Sequence, residues 1–461
     1  HDRPAMGLDG IMRPENSFPV LIQGMSAARN GEKADWWKAL YGWYCRHPQY
    51  EDRIRGIREG LFYGYRQEAL TKKAARKLFG ETPLNSVTRL ERFASCAYAH
   101  FLAYGLRLTP RAEYRLEAVD YGNIFHKSIE MFFRTMEEEK RVWTDLTVEE
   151  RVRYVEKSVQ RVTEDYGNTI FESSARNQYL VKRLERMTDR TIWALSRQWG
   201  MGGFTRSFSE VDFTPEDHLS SMELPLEDGI RMALQGRIDR IDVAEQENCV
   251  YVKVIDYKSG NTEFDLTKIY HGLQLQLIIY LEAALELSRR RHPDKDIIPA
   301  GIYYYNIKDP IVDGQEIQEQ ETQEQEAQEA ILKELRMNGL TNEDPTALAL
   351  LDHTGGKHSK VVKHLETRAD GSLSGRAMAA NAVQIEQLCR FGLRKAKALG
   401  KEMMRGEIPV SPYAYRQKTP CDYCEFGSIC GFDPRVEGYR CRRLSVLEPD
   451  QMWEILKKLE P

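Results

Sequence analysis

The sequence predicts an α/β fold with helical extensions, and three observations carry that expectation. Helical stretches run through roughly the first 200 residues, the pattern changes to period two between Arg206 and Lys258, and a long helical stretch opens again at Asp265. In order, residues 1–80 open Pro/Gly-rich and turn aromatic and helical around Trp36, Trp37, Trp43 and Tyr44. After a hinge at Gly80–Asn85, Ser86 is placed to cap a helix from Val87 towards Leu102, and Asp120 to cap the next, from Tyr121 to Glu138. Helices are expected from Val148 to Tyr166 and from Asn177 to Trp199. Strands are expected at Arg206–Phe213, Met222–Leu226, Arg231–Val243 and Cys249–Lys258. A long helix from Asp265 to Arg291, a strand at Gly301–Asn306 and a helix from Met378 to Arg405 follow. Gln315–Glu329 alternates Gln and Glu without an apolar face and reads as an exposed elaboration.

The 461 residues are enough for two or three domains, and 41% hydrophobic with 30% charged residues places the chain among soluble globular proteins. No apolar run approaches the roughly 18–20 residues that cross a bilayer. The chain begins at His1 with no charged-then-apolar leader, which suggests the back portion of a longer, cytoplasmic protein. A net charge of −4 excludes a wholesale polyanion binder but leaves room for a local basic groove. Candidate basic stretches are Arg289-Arg290-Arg291, then Arg394, Lys395, Lys397 and Lys401, then Arg435, Arg440, Arg442 and Arg443. No phosphate-cradling G-x-x-x-x-G-K-[ST] occurs, so this chain should not turn over ATP by that route.

The densest chemistry lies in Gly236-Arg237-Ile238-Asp239-Arg240-Ile241-Asp242 followed by Val254-Ile255-Asp256-Tyr257-Lys258. Glu245–Asn248 is a polar turn between them, so the two strands should form an antiparallel hairpin. With the turn centred between Glu247 and Asn248, Asp239 falls opposite Asp256, their Cβ atoms about 4.5–5.5 Å apart. Lys258 shares that face. Two carboxylates so close raise each other's pKa unless a cation lies between them, and hard oxygen ligands suit Mg²⁺ or Mn²⁺. A salt-bridged surface hairpin is the plain alternative. Asp242, three positions beyond Asp239, should point to the other face. Upstream, Gly122 precedes His126 by one helical turn, the glycine permitting close approach of another backbone. Downstream, Gln276 and Tyr280 stand at i, i+4.

Together G-x-x-x-H, G-x-x-D, D-x-K and Q-x-x-x-Y, in this order, resemble the motif set of the RecB-type nucleases of the PD-(D/E)XK superfamily. That resemblance implies a restriction-endonuclease-like core, a mixed central sheet flanked by helices. It implies that His126, Asp239 and Asp256 are ligands of Mg²⁺ (or Mn²⁺), with the main-chain carbonyl of Tyr257. Lys258 would be the catalytic lysine, and Gln276 and Tyr280 accessory catalytic residues. The reaction implied is metal-assisted phosphodiester hydrolysis by activated water. Glu210, at the end of an early strand, is a weaker candidate carboxylate.

Eight cysteines in a chain of this kind suggest thiol–metal chemistry. Cys421, Cys424 and Cys430 crowd into ten residues, and either zinc or a 4Fe-4S cluster would need a fourth ligand. Cys96, in Leu90-Glu91-Arg92-Phe93-Ala94-Ser95-Cys96, supplies a lone upstream thiol. A lone cysteine paired with a C-x-x-C-x₅-C tail resembles the iron–sulfur variant of the RecB-type nuclease, found in AddB subunits and in CRISPR-associated nucleases. The surrounding text resembles the AddB family: Ser86-Val-Thr-Arg-Leu-Glu-Arg-Phe93, Tyr104-Gly-Leu-Arg-Leu108, Ala300–Pro310 and Cys430-Gly-Phe-Asp433. The resemblance implies a 4Fe-4S cluster on Cys96, Cys421, Cys424 and Cys430, structural in role and closing a very long loop. Cys45, Cys249, Cys389 and Cys441 read as buried or incidental.

The organisation expected is therefore a helical segment over 1–85 leading from a helicase-like region, a nuclease domain over 86–445 closed by the cluster, and a C-terminal helix over 446–461. The function expected is a metal-dependent DNA exonuclease acting in double-strand-break processing, on a strand unwound by an AddA-like helicase–nuclease partner. A non-catalytic DNA-binding or scaffolding module and a CRISPR-associated nuclease are the alternatives. Filled charged motif positions speak against the first, and the extra length against the second.

Overall fold

The structure is a computed structural model. It describes residues 13–31, 35–67, 69–109, 111, 116, 118–164, 166, 170–308, 320–354, 356–368, 372–374 and 377–458. The chain divides into two compact units, one drawn from His1–Glu68 with Gly427–Cys441, the other from Ala69–Phe426 with Arg442–Pro461. In the first, α1 (Phe18–Arg29), α2 (Trp36–Cys45) and α3 (Glu51–Leu61) surround Phe18, Leu21, Met25, Tyr44 and Ile54. Phe18 stacks on Tyr44 with centroids 4.5 Å apart, and Tyr50 meets both rings edge-on. The aromatic density legible in the sequence is thus spent on a small core.

The second unit opens with α4 (Lys72–Phe79), β1 (Leu84–Ser86), α5 (Val87–Ser95) and α6 (Ala97–His100). Ser86 caps α5 as expected, its hydroxyl accepting the Arg89 N–H at 3.3 Å. The helix does not run on to Leu102. Cys96 is extended (φ −161°, ψ 113°), ending α5 and capping α6. Then come α7 (Ala118–Glu138), α8 (Val148–Glu164) and α9 (Ala175–Gly200). Asp120 lies in the first turn of α7 and is not its cap; its carboxylate accepts the Tyr166 hydroxyl at 2.6 Å.

The strands are β2 (Arg206–Phe213), β3 (Glu223–Pro225), β4 (Arg231–Glu245) and β5 (Cys249–Lys258). After α10 (Leu266–Tyr270) and α11 (Gln276–Arg291) come β6 (Asp296–Asn306), α12 (Gln320–Glu334), β7 (Asn338–Asn342), α13 (Pro345–Leu351) and β8 (Ala379–Ala380). The remaining elements are α14 (Ala382–Arg405), β9 (Tyr413–Ala414), α15 (Gly427–Cys430, in the first unit), β10 (Arg442–Arg443) and α16 (Pro449–Lys458). Among the described residues eight strands form one mixed sheet, in the order β1-β4-β5-β6-β7-β8, with β2 and β3 also paired to β4. β4 and β5 are antiparallel, β5 and β6 parallel.

Both faces of the sheet are covered, so β5 is apolar at both parities. Val250, Val252 and Val254 pack with Leu277, Ile278 and Leu281 of α11 and Leu388 of α14. Tyr251, Ile255 and Tyr257 pack with Phe125 and Ile129 of α7 and Leu195 of α9. The helix expected from Asp265 to Arg291 is two, α10 and α11, because Gly272 takes φ +79° between them. At the start of α14, Ala379–Ala380 are strand, and Asn381 and Gln384 form a reciprocal capping box. Residues 315–319 of the Gln/Glu stretch lie outside the described residues. From Gln320 the chain is helical, and α12 ends with Ile331 and Leu332 against the second core face. No helix of the described residues is long and apolar enough to cross a membrane.

Candidate active site

The hairpin ladder pairs Asp242 with Lys253, Ile241 with Val254 and Arg240 with Ile255, so the next opposed pair is Asp239 and Asp256. This is the register read from the turn. On its other edge β4 pairs with β2, Ser209 facing Arg240 and Val211 facing Ile238, which leaves Glu210 opposite Asp239. Three carboxylates therefore stand in a row on three adjacent strands. Glu210 is in the middle of β2 rather than at its end, and takes φ +51°. The apolar phase of both strands slips there. Phe208 and Ile241 face the first core, but so do Val211 and Ile238. Glu210 and Asp239 occupy the slip, and a left-handed residue in a strand costs about 1–3 kcal/mol, strain of a kind that clusters at functional sites.

His126 comes from α7, with Nδ1 3.5 Å from Asp239 Oδ2. Ligand atoms of His126, Glu210 and Asp239 all lie within 4.8 Å of one another. Gly122 allows this approach of α7, since a Cβ there would sit 3.0 Å from Ser259 Oγ; the close neighbour is a side chain, not a backbone. Asp239 Oδ2 also accepts the Tyr257 N–H at 2.7 Å. Beside the row a cleft of about 370 Å³ is lined by His126, Glu130, Tyr166, Glu210 and Arg237, among others.

On the other side of Asp256, Lys258 Nζ lies 2.5 Å from Asp256 Oδ2 and donates to Gln276 Oε1 at 2.8 Å. Gln276 Nε2 donates to the Tyr280 hydroxyl at 3.1 Å. The lysine also sits 5.6 Å from the centroid of the buried Tyr304 ring. All the sequence-predicted residues of the carboxylate–lysine constellation thus come together. Sequence reading missed Glu91 and Tyr304. Glu91 was within reach: it shares a helix face with Val87, Leu90 and Ala94, all buried, and a carboxylate on an apolar face needs a reason to be there.

Electrostatically the site is short of positive charge. Burial, then the Asp239 charge, push Asp256 up to about 7 against the pull of Lys258. Burial raises Asp239 to about 6 although the Tyr257 N–H and Lys258 favour its charge. Burial with the charges of Asp239 and Glu130 takes Glu210 to about 8. Burial lowers the pKa of His126, leaving a neutral imidazole with a free lone pair near pH 7. Several carboxyls pushed upward together mark a place that a cation would stabilise, and the donor set of oxygens with one imidazole fits a hard divalent ion.

Asp242 does point to the opposite face, but not to solvent. It is fully buried, accepting from Arg240 Nε at 2.7 Å and pairing with Lys253 Nζ at 3.0 Å. The first basic stretch is likewise engaged: Arg290 binds Glu286 and the carbonyls of Asp217 and His218, and Arg291 covers Phe208. Lys395 packs over Tyr270 and Phe391. Arg442 turns inward to the carbonyls of Ala94 and Ser95.

Cys96 is buried in the break between α5 and α6. One turn earlier Arg92 pairs with Glu425 at 2.5 Å and stacks over Phe426, so α5 abuts the segment that follows Cys424. Cys421 opens a single turn over Pro420–Tyr423 held by a Thr419/Asp422 capping box. Cys430 belongs to the other unit, where its Sγ accepts the Phe432 N–H. Of the unmatched thiols Cys389 is buried, Cys45 exposed, and Cys249 and Cys441 half-buried.

A mixed sheet with opposed carboxylates and a lysine at the end of a central strand defines a class, and comparison with known proteins agrees: the chain belongs to the PD-(D/E)XK nuclease superfamily, which it matches over residues 85–431. Residues 4–60 match the fifth domain of the ATP-dependent helicase/deoxyribonuclease AddB. The chain is 38% identical over 438 residues to the AddB polypeptide of the ATP-dependent helicase/deoxyribonuclease of Lachnoclostridium phytofermentans, covering 93% of this chain and 36% of that protein. To the AddB of Alkaliphilus metalliredigens it is 35% identical over 452 residues, covering 97% and 39%. To that of Listeria innocua it is 32% identical over 416 residues, covering 89% and 35%. The chain thus spans between a third and two fifths of the length of these relatives.

Proposed function

We propose that this chain is the nuclease part of an AddB-like protein, a DNA exonuclease that hydrolyses phosphodiester bonds with Mg²⁺ or Mn²⁺ on a strand delivered by an AddA-like partner. The observation that carries the reading is the row Glu210, Asp239 and Asp256 with Lys258 beside it. His126, Asp239 and Asp256, with the main-chain carbonyl of Tyr257, would hold the cation, and Glu210 stands within reach of the first two. A divalent ion there supplies Lewis-acid polarisation of the phosphate and a water of lowered pKa. Lys258, held by Gln276, offsets charge on the phosphate or orients the attacking water, and Tyr280 fixes the amide of Gln276. The test is cleavage of an end-labelled single strand by the purified protein with Mg²⁺, Mn²⁺ or EDTA. Release of products from one end only with either cation supports the reading; equal cleavage in EDTA overturns it.

The raised carboxyl pKa values give a second expectation. Asp239, Asp256 and Glu210, at about 6, 7 and 8, hold protons more tightly folded than unfolded. The stability this gives is full below about pH 4 and is lost as pH rises through those values. Cation binding requires the deprotonated groups and runs the other way. The rise in unfolding temperature on adding Mn²⁺ should therefore be small near about pH 5 and grow towards about pH 8. An equal rise at both ends would separate the cation from these carboxylates.

For the cysteines, the spacing of Cys421, Cys424 and Cys430 and the packing of the Cys96 helix against Glu425 and Phe426 support a 4Fe-4S cluster that ties the segment after Ser95 to the loop near Phe426. Cys96→Ser should abolish the visible absorption of anaerobically purified protein, lose its iron and acid-labile sulfide, and lower its unfolding temperature. Stoichiometric zinc without iron in the unaltered protein would overturn this.

A further inference from the structure

Helix α11 carries Gln276 and Tyr280, yet it begins without a cap of its own. Its N-cap residue is Leu275, whose side chain accepts nothing. The first amides of a helix are donors without intrahelical partners, and the end carries partial positive charge. The missing acceptor comes from α5, about 185 residues earlier: one oxygen of Glu91, Oε1, accepts the N–H of Leu275 at 2.6 Å and that of Gln276 at 3.0 Å. Leu90, Phe93 and Ala94 anchor α5 in the same core that receives Leu277 and Ile278 of α11. The residue whose amide Glu91 binds is the residue whose side chain holds Lys258.

We infer that Glu91 is a positioning residue for phosphodiester cleavage: it caps α11 from another helix and so sets Gln276, and through it Lys258, against Asp256. The inference rests on the nuclease reading of the site. What matters is the reach of the side chain and its acceptor oxygen, more than its charge. Glu91→Gln keeps length and an acceptor, whereas Glu91→Asp keeps charge but falls one methylene short of the amides.

The test measures kcat and KM for cation-dependent cleavage of a single strand by the purified protein. Glu91→Ala and Glu91→Asp should lower kcat by about 10–100-fold, the range for loss of groups that orient first-contact residues, with KM for DNA nearly unchanged. Glu91→Gln should restore most of the rate, and exchange of the Leu275 and Gln276 amides should quicken in the Ala and Asp variants only. In a Gln276→Ala background Glu91→Asp should cost little more, because both act through one contact. Multiplicative losses in that background, or Asp as active as the parent while Gln is as slow as Ala, would overturn the inference. So would a lowered unfolding temperature with kcat intact, which is what a merely structural contact gives. Lys258→Ala is run alongside: if it cleaves at the parent rate, the reading of the site fails whatever Glu91 does, whereas an inactive Lys258→Ala beside a fully active Glu91→Asp removes this inference alone.

Discussion

Asp256→Ala should lower cation-dependent cleavage by about three orders of magnitude or more, on the order of 4 kcal/mol of activation free energy, while DNA stays bound. Asp256 is 1% exposed and stands between Asp239 and Lys258, so its removal takes away a ligand and frees the lysine from its partner. Binding rests on phosphate contacts spread along a groove, and one fewer negative charge facing the phosphate can only favour it. Lys258→Ala should spare cation binding and still lose most of the rate. Asp239→Ala should match Asp256→Ala, because the ladder sets the two opposite each other. Cleavage rates of the purified variants, with affinities for the same oligonucleotide in Ca²⁺, check all three. An Asp256→Ala protein that still cleaves within a few-fold of the parent would falsify the metal site.

The largest effect on stability is expected one pleat away, at Asp242. The alternation of β4 made it a natural control, a carboxylate on the far face whose loss should leave the rate alone. Its surroundings forbid that use. Arg240 and Lys253 are 2% and 6% exposed and pair with it, Arg240 beneath Trp143 and Trp199 and Lys253 over Phe204. Removing the one anion from a buried cluster of this kind costs about 3–5 kcal/mol. Burial alone would raise the pKa of Asp242, but Arg240 and Lys253 together hold it below the ordinary value. A depressed carboxyl contributes stability at neutral pH that is lost as pH falls through the folded-state value. Asp242→Ala should therefore lower the urea midpoint sharply at pH 7 and much less in acid, with cleavage per folded molecule nearly unchanged. A midpoint within a few tenths molar of the parent at pH 7 would mean the cluster does not hold the sheet.

What could be seen in the sequence follows from which forces act locally. The hairpin register was legible because β5 alternates between two buried faces and the turn at Glu245–Asn248 is short and polar, so a slip by one would bury the wrong set. The i, i+4 pair of Gln276 and Tyr280 was legible because helix geometry alone relates them. The environment of Asp242 was not, because Arg-x-Asp on a strand reads the same in water or under Trp143 and Trp199, which arrive from elsewhere in the chain. The left-handed turn at Glu210 leaves no local mark, since glutamate has no preference for that conformation. The break before α11 was signalled by Gly272, but apolar periodicity on both sides masked it. Asp120 looked like a cap because caps are favoured among such residues, and only the partner Tyr166 tells otherwise.

The position of α16 has a consequence for how the protein is made. Met452 and Leu456 are buried in the same core as Val87, Leu90 and Phe93, more than 350 residues away. A ribosome that has delivered the whole sheet has still not delivered the side chains that close its first face. Until Leu456 emerges, nascent chains would expose apolar surface around α10 and α14 and be clients for chaperones, and stop codons falling only a few turns early should yield aggregates rather than a trimmed enzyme.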